Sequence, residues 1–197
     1  MATVPPGTIV LLDHDALGRL RLPPPDTEAV IAVHEGALRA PESSLTLAVC
    51  LDEAGEPVWV GAIDEGMVAG GLGRTVSPRP ALARCLLTGD RCWDVIWPGE
   101  LLGGGVYRTV YRGDRPWVVL GALPSGPLLV SPLNDARGNP KWYAPRIDAT
   151  DLEGAAHKAG QLELAHLWSL PEHLPAVGVV NKGARTRLGE LMRKYFG

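Results

Sequence analysis

Short apolar runs, each closed by a cluster of Pro, Gly or Asp, recur along this chain and set its architecture. Thr8 to Leu12, Ala29 to His34, Leu45 to Cys50 and Val58 to Ile63 are rich in Val, Ile, Leu and Trp and have the length of strands. Glu65 to Pro80, with Gly66, Gly70, Gly71 and Gly73, reads as a loop, and Ala81 to Leu87 as a helical turn. Beyond Gly89 the strand pattern resumes in Arg91 to Trp97, Trp117 to Leu120, Leu128 to Ser131, Trp142 to Ile147, Gln161 to Trp168 and Val177 to Val180. The period changes only at the end of the chain. Leu188, Leu191, Met192 and Tyr195 fall at i, i+3, i+4 and i+7, with Arg193 and Lys194 in the last turn, which predicts an amphipathic helix packed on a β barrel.

The strand pattern is also repeated. Leu51, Ala54, Gly55, Pro57, Trp59, Ile63 and Asp64 return in order as Leu133, Ala136, Gly138, Pro140, Trp142, Ile147 and Asp148, with insertions at Arg137 and near Pro145. A Gly-x-Pro turn between apolar strands is a hairpin connection. Upstream, Thr8 to Leu12, Glu28 to Val33 and Leu45 to Leu51 answer Cys92 to Trp97, Pro116 to Leu120 and Leu128 to Leu133. The expected organisation is therefore two copies of one small β domain, residues 1–88 and 89–197.

Composition narrows the classes. With 197 residues, 46% hydrophobic and 21% charged, the chain has ordinary globular content. Its N-terminal apolar run is too short to span a bilayer and has no basic region before it, so a cytoplasmic protein without membrane attachment is expected. Cys50, Cys85 and Cys92 form an odd set without CxxC spacing, which reads as buried thiols rather than disulfides or a zinc site. Charge is unevenly shared. Residues 1–90 carry 6 Lys and Arg against 12 Asp and Glu, whereas residues 91–197 carry 13 against 10. This asymmetry permits an anionic ligand on the second unit only, because local field follows local charge, though a +3 surface is also that of an ordinary solvated domain.

Candidate chemistry is sparse. Gly70-Gly71-Leu72-Gly73 lacks the Gly-Lys-Ser/Thr of a phosphate loop, and no Ser-His-Asp order or metal-ligand spacing is present, so neither a metal nor a cofactor is expected. In the second unit Gly89-Asp90-Arg91-Cys92-Trp93-Asp94-Val95, Arg115-Pro116-Trp117-Val118-Val119-Leu120, Pro132-Leu133-Asn134 and Gly138-Asn139-Pro140 follow one another, with the helix at the end. This order resembles the MazF/PemK toxins over residues 89–197. The resemblance implies a mainly β fold with few helices, here as tandem SH3-like barrels of the MazF/PemK/CcdB type. It also implies an endoribonuclease that cleaves single-stranded RNA and is held in check by an antitoxin protein.

Two positions depart from that family. Asn134 stands where the family has a catalytic Thr, and Ala165-His166 where it often has Asp-Gln; the first copy lacks the Arg altogether, with Thr27-Glu28 and Asp52 at the matching places. Arg115 is the expected phosphate clamp, since a guanidinium presents a planar fork to phosphate oxygens. His166 is the expected acid or base, because imidazole titrates near neutrality, and Asn134 an assisting donor. Arg108 and Arg112, in the long loop after the first strand, and Arg137 and Lys141, around the Gly138 turn, are expected to bind RNA. Two readings follow: an endoribonuclease, or a catalytically inactive toxin fold that binds protein or nucleic acid. In either, two joined copies make a monomeric pseudo-dimer.

Overall fold

A computed structural model describes residues 7–13, 15, 25–27, 29–32, 45–74, 77–97, 115–135, 139, 144–154 and 159–197. The apolar runs pair into two antiparallel sheets, one of them nearly barrel-shaped. The first holds β1 (Thr8–Leu12), β2 (Ala29–Ala32), β3 (Leu45–Leu51), β4 (Pro57–Asp64) and β5 (Val68–Arg74) in the order β4-β3-β2-β1-β5, and helix α1 (Arg79–Cys85) follows it. The second is built from β6 (Asp94–Ile96), β7 (Trp117–Ala122), β8 (Leu128–Asn134), β9 (Arg146–Ile147), β10 (Leu152–Gly154), β11 (Gly160–Leu162), β12 (Trp168–Leu170) and β13 (Ala176–Val180). Its order is β10-β13-β6-β7-β8-β11-β9, β12 also pairs with β8, and helix α2 (Lys182–Phe196) ends the chain.

The strands that the sequence sets in parallel columns occupy matching places. β1-β2-β3 and β6-β7-β8 are both three-strand meanders, and each carries a later strand beside its first member, β5 and β13, followed directly by a helix. The second hairpin departs from expectation. β3 and β4 pair from Leu45↔Asp64 to Leu51↔Pro57 across a turn in which Gly55 takes a φ of +81°. Among the described residues its sequence counterpart does not form such a pair: β9 pairs with β11, and it is β11 that lies against β8. Gly138 and Pro140 lie outside the described residues. The geometric match to the Gly55 turn is instead the β7–β8 turn, where Gly126 has a φ of +110° and donates to the Leu123 carbonyl as Gly55 does to that of Asp52.

Three further expectations are corrected. The stretch taken as a loop contains β5, because an edge strand beside β1 gains its backbone hydrogen bonds whatever its side chains are; its glycines coincide with two register shifts. The first strand of the second unit starts at Asp94 rather than Arg91, since positive φ at Leu87, Gly89 and Trp93 turns the chain before it. The run from Gln161 to Trp168 is not one strand, as the site geometry below makes plain.

β7 reads Trp-Val-Val-Leu-Gly-Ala without alternation because both its faces are covered. Val118 and Leu120 point into a core shared by both sheets and both helices, with Leu47, Val49 and Val60 of the first sheet, Leu82 of α1, and Leu188, Met192 and Phe196 of α2. Trp117 and Val119 point the other way, into a cluster with Val130, Trp168 and Ala62 of β4. The two sheets also meet by hydrogen bonds, the Ser169 hydroxyl accepting from Val60 N at 3.0 Å and lying 3.2 Å from Val60 O. Gly61 allows this approach: a Cβ there would fall 2.4 Å from the Trp59 ring and 3.1 Å from Trp168.

Candidate functional site

Antiparallel pairing places directly opposed residues on the same face of a sheet. Asn134, at the end of β8, is opposite Gln161 of β11, and Gln161 is opposite Arg146 of β9. On the other side of β8, Trp117 is opposite Pro132 and Leu133 N donates to Pro116 O, so the same register sets Arg115 level with Asn134. Asn134, Gln161 and Arg146 therefore form one polar row across three strands, β8, β11 and β9, and Arg115, two residues before β7, stands beside its Asn134 end. It continues the face that Trp117 and Val130 bury in the apolar cluster against Ala62.

The Arg115 side chain is only 12% exposed and its fork is filled by Asp135. Nη1 donates to Oδ1 at 2.6 Å and Nη2 to Oδ2, a bidentate, charge-assisted pair. Arg146 is half exposed and donates from Nε to Asp148 at 2.7 Å. Helix α2 approaches the same edge, Arg187 donating to the Arg146 carbonyl at 3.3 Å and to Asp151 at 2.8 Å. Two guanidinium groups thus flank two amides. Gln161 is buried with its Nε2 covered, so an oxyanion can reach the row at its exposed Arg146 end and, once Asp135 leaves, at Arg115.

His166 is placed differently from expectation. Leu162 is opposite Leu133 and Trp168 opposite Val130, so the five residues Glu163 to Leu167 face only Ser131 and Pro132 on β8. This wide bulge is closed by His166 N donating to Glu163 O at 3.0 Å. The imidazole is 5% exposed, with Nδ1 3.6 Å from Glu163 Oε2, beyond hydrogen-bond length. A substrate proton reaches it only if the bulge moves.

Of the expected site residues, the fold brings together Arg115 and Asn134, and it adds Asp135, Gln161 and Arg146. Arg108, Arg112, Arg137 and Lys141 lie outside the described residues. Gln161 and Arg146 had no signal in the sequence beyond their polarity in apolar surroundings. Among the described residues no group of three or more His, Cys, Asp or Glu is arranged to hold a metal ion. The thiols are not nucleophiles at neutral pH: burial pushes Cys50 up to about 12 and Cys92 up to about 11, and raises Cys85 as well. Among the described residues no helix is long and apolar enough to cross a membrane. The chain matches no protein-family model, no curated protein and no solved structure.

Proposed function

We propose that this protein is a divergent, single-chain relative of the MazF/PemK toxins that binds single-stranded RNA along the Arg115 row and cleaves it. Two tandem SH3-like barrels make up the chain in this reading, with the acidic first unit as the non-catalytic partner of the second and an antitoxin protein as the natural regulator. The observation that carries it is the register that sets Arg115 beside Asn134, since this joins a phosphate-matching cation to a neutral donor at the strand ends where the resembled family cleaves RNA. Cleavage by a 2′-hydroxyl needs a cation for the charge growing on the phosphate oxygens, a group to take the hydroxyl proton and a proton for the leaving 5′-oxygen. Arg115 supplies the first, once phosphate replaces Asp135 in its fork. On movement of the bulge His166 takes the 2′-hydroxyl proton, the 2′-oxygen bonds to phosphorus as the bond from phosphorus to the 5′-oxygen breaks, and that oxygen leaves with a proton from water. The products are a cyclic phosphate and a 5′-hydroxyl.

The test is incubation of the purified chain with a long single-stranded RNA in the presence of a chelator. Cleavage is expected, and Arg115→Ala is expected to lower it by about a hundredfold or more, the usual cost of removing one preorganised transition-state donor. Unchanged cleavage by that variant removes Arg115 from the mechanism. The alternative, an inactive fold that only binds, is favoured by one observation: among the described residues beside Arg115, the imidazole of His166 is covered and Asn134 carries an amide that cannot transfer a proton. Binding without cleavage decides for it.

A further inference from the structure

Arg84, Arg91, Arg115, Arg146 and Arg187 each hold a carboxylate. Among the described residues Arg185 and Arg193 of α2 hold none: Arg185 gives its Nε to the Val180 carbonyl at 2.6 Å, and Glu190, the one acidic residue of the helix, pairs with neither. Arg185, Gly189 and Arg193 follow at i, i+4 and i+8 on one face, so the two arginines stand about 12 Å apart along the axis. A Cβ at Gly189 would lie 3.7 Å from Arg193 Nη2 and 3.9 Å from Cζ2 of the Trp93 ring, which places indole and guanidinium side by side over that glycine. Trp93 reaches it through a backbone φ of +81°, a value bulky residues rarely adopt, fixed by Trp93 N donating to Val119 O at 2.7 Å and Val180 N donating to Trp93 O at 2.9 Å. The ring stays only partly buried. Burial raises the neighbouring Cys92 thiol and the charge of Arg185 works against that rise, so Arg185 borders the same patch from the other side.

We propose that this patch, Trp93 with Arg185 and Arg193 on either side, is a docking surface for an acidic, extended segment of a partner protein. It does not depend on the ribonuclease reading. Trp and Arg are the side chains that dominate protein interfaces, the ring by its apolar area and the guanidinium by its directed bonds to carboxylates. Two cations without a carboxylate of their own bind an anion directly, whereas Arg115 has first to release Asp135. Asp94, the acidic group beside Cys92, is engaged by Arg91 and does not compete. Both arginine side chains reach toward the start of the helix, Arg193 to Gly189 and Arg185 to Val180, so their heads keep the spacing of the backbone. In an extended segment, at ~3.3 Å per residue, carboxylates four positions apart are separated by about 13 Å, which matches that spacing, and an apolar side chain between them falls on Trp93. A partly buried indole suits such a side chain better than a nucleic-acid base, which stacks on an open ring face.

Fluorescence anisotropy of the full chain with a labelled peptide Glu-Gly-Phe-Gly-Glu at low salt tests this. Arg185→Gln and Arg193→Gln are each expected to weaken binding by about fivefold, and the double variant by about the product, since the two side chains do not touch. Exchange of both peptide Glu residues for Gln is expected to remove binding, and exchange of its Phe for Gly to weaken it by roughly tenfold. RNA cleavage by the two arginine variants is expected at the wild-type level, so this surface and the ribonuclease reading fail separately. Wild-type affinity in both arginine variants, equal binding of the Gln peptide, or no binding by the wild type overturns the docking surface. A single-stranded RNA 10-mer that displaces the peptide and itself binds more weakly to both arginine variants also overturns it, and assigns the two arginines to nucleic acid.

Discussion

At the residue scale, the ion pair between Arg115 and Asp135 decides how the site behaves at rest. A guanidinium with both nitrogens engaged by one carboxylate offers no fork to phosphate until that carboxylate leaves. Asp135 is half exposed at a strand end, and a phosphate has to displace it to enter the Arg115 fork. Asp135→Asn keeps the shape and removes the charge; it is expected to raise affinity for a labelled single-stranded RNA, read by fluorescence anisotropy, several-fold, up to about tenfold, as the cost of displacing a charged partner is lifted. Lower affinity in that variant means that Asp135 holds Arg115 in its working orientation instead. Arg115 and Asn134 were legible in the sequence because each ends or begins an apolar run in a familiar order. Gln161 and Arg146 were not, since they reach Asn134 only through β11 inserting between β8 and β9, and no local pattern announces that insertion.

At the element scale, one strand pairing controls the join between the two halves. After α1 the chain makes an isolated bridge from Leu86 to Gly121, and Leu87 N donates to Leu120 O at 2.7 Å. β7 shifts register between Val119 and Gly121 to receive it. A Cβ at position 121 would fall 2.0 Å from the Cys85 carbonyl, a backbone atom that cannot step aside. Gly121→Ala is therefore expected to destabilise the chain by about 1–3 kcal/mol, as overpacking of a filled core does, read as a lower midpoint in urea unfolding. An unchanged midpoint shows that α1 does not press on β7 as described. The C-terminal helix was legible from its 3.6 period: Leu188 and Met192 are buried as the stripe requires, and Asn181 caps its start by accepting from Ala184 N at 2.9 Å. The bulge at Glu163 to Leu167 was not legible, because Leu-Ala-His-Leu has the composition of a strand and only the length of the facing β8 segment forces the excess residues out.

At the scale of the whole molecule, elements in like positions beside the two meanders meet, although β12 is not the sequence counterpart of β4. β4 meets β12, each beside the third strand of its meander, and α1 meets α2, with Arg79 donating to the Tyr195 carbonyl at the C-terminal end of α2. Symmetric dimers are built on like-to-like contact of this kind. If the first unit takes the place of a second copy, light scattering gives the mass of one chain, 21.0 kDa, across a wide concentration range. A stable dimer of chains overturns the pseudo-dimer and leaves the first unit as an appendage. What the sequence determined by itself is local: where strands run, which stretch is helical, and which residues carry charge at strand ends, because periodicity and turn chemistry act within a few residues. Only the tertiary structure decided which strand lies beside which, that Asp135 fills the Arg115 fork, that His166 is covered and that Arg146 completes the row. Each of these depends on register between segments far apart in the chain, and register is settled by the burial of whole faces, which no short window of sequence contains.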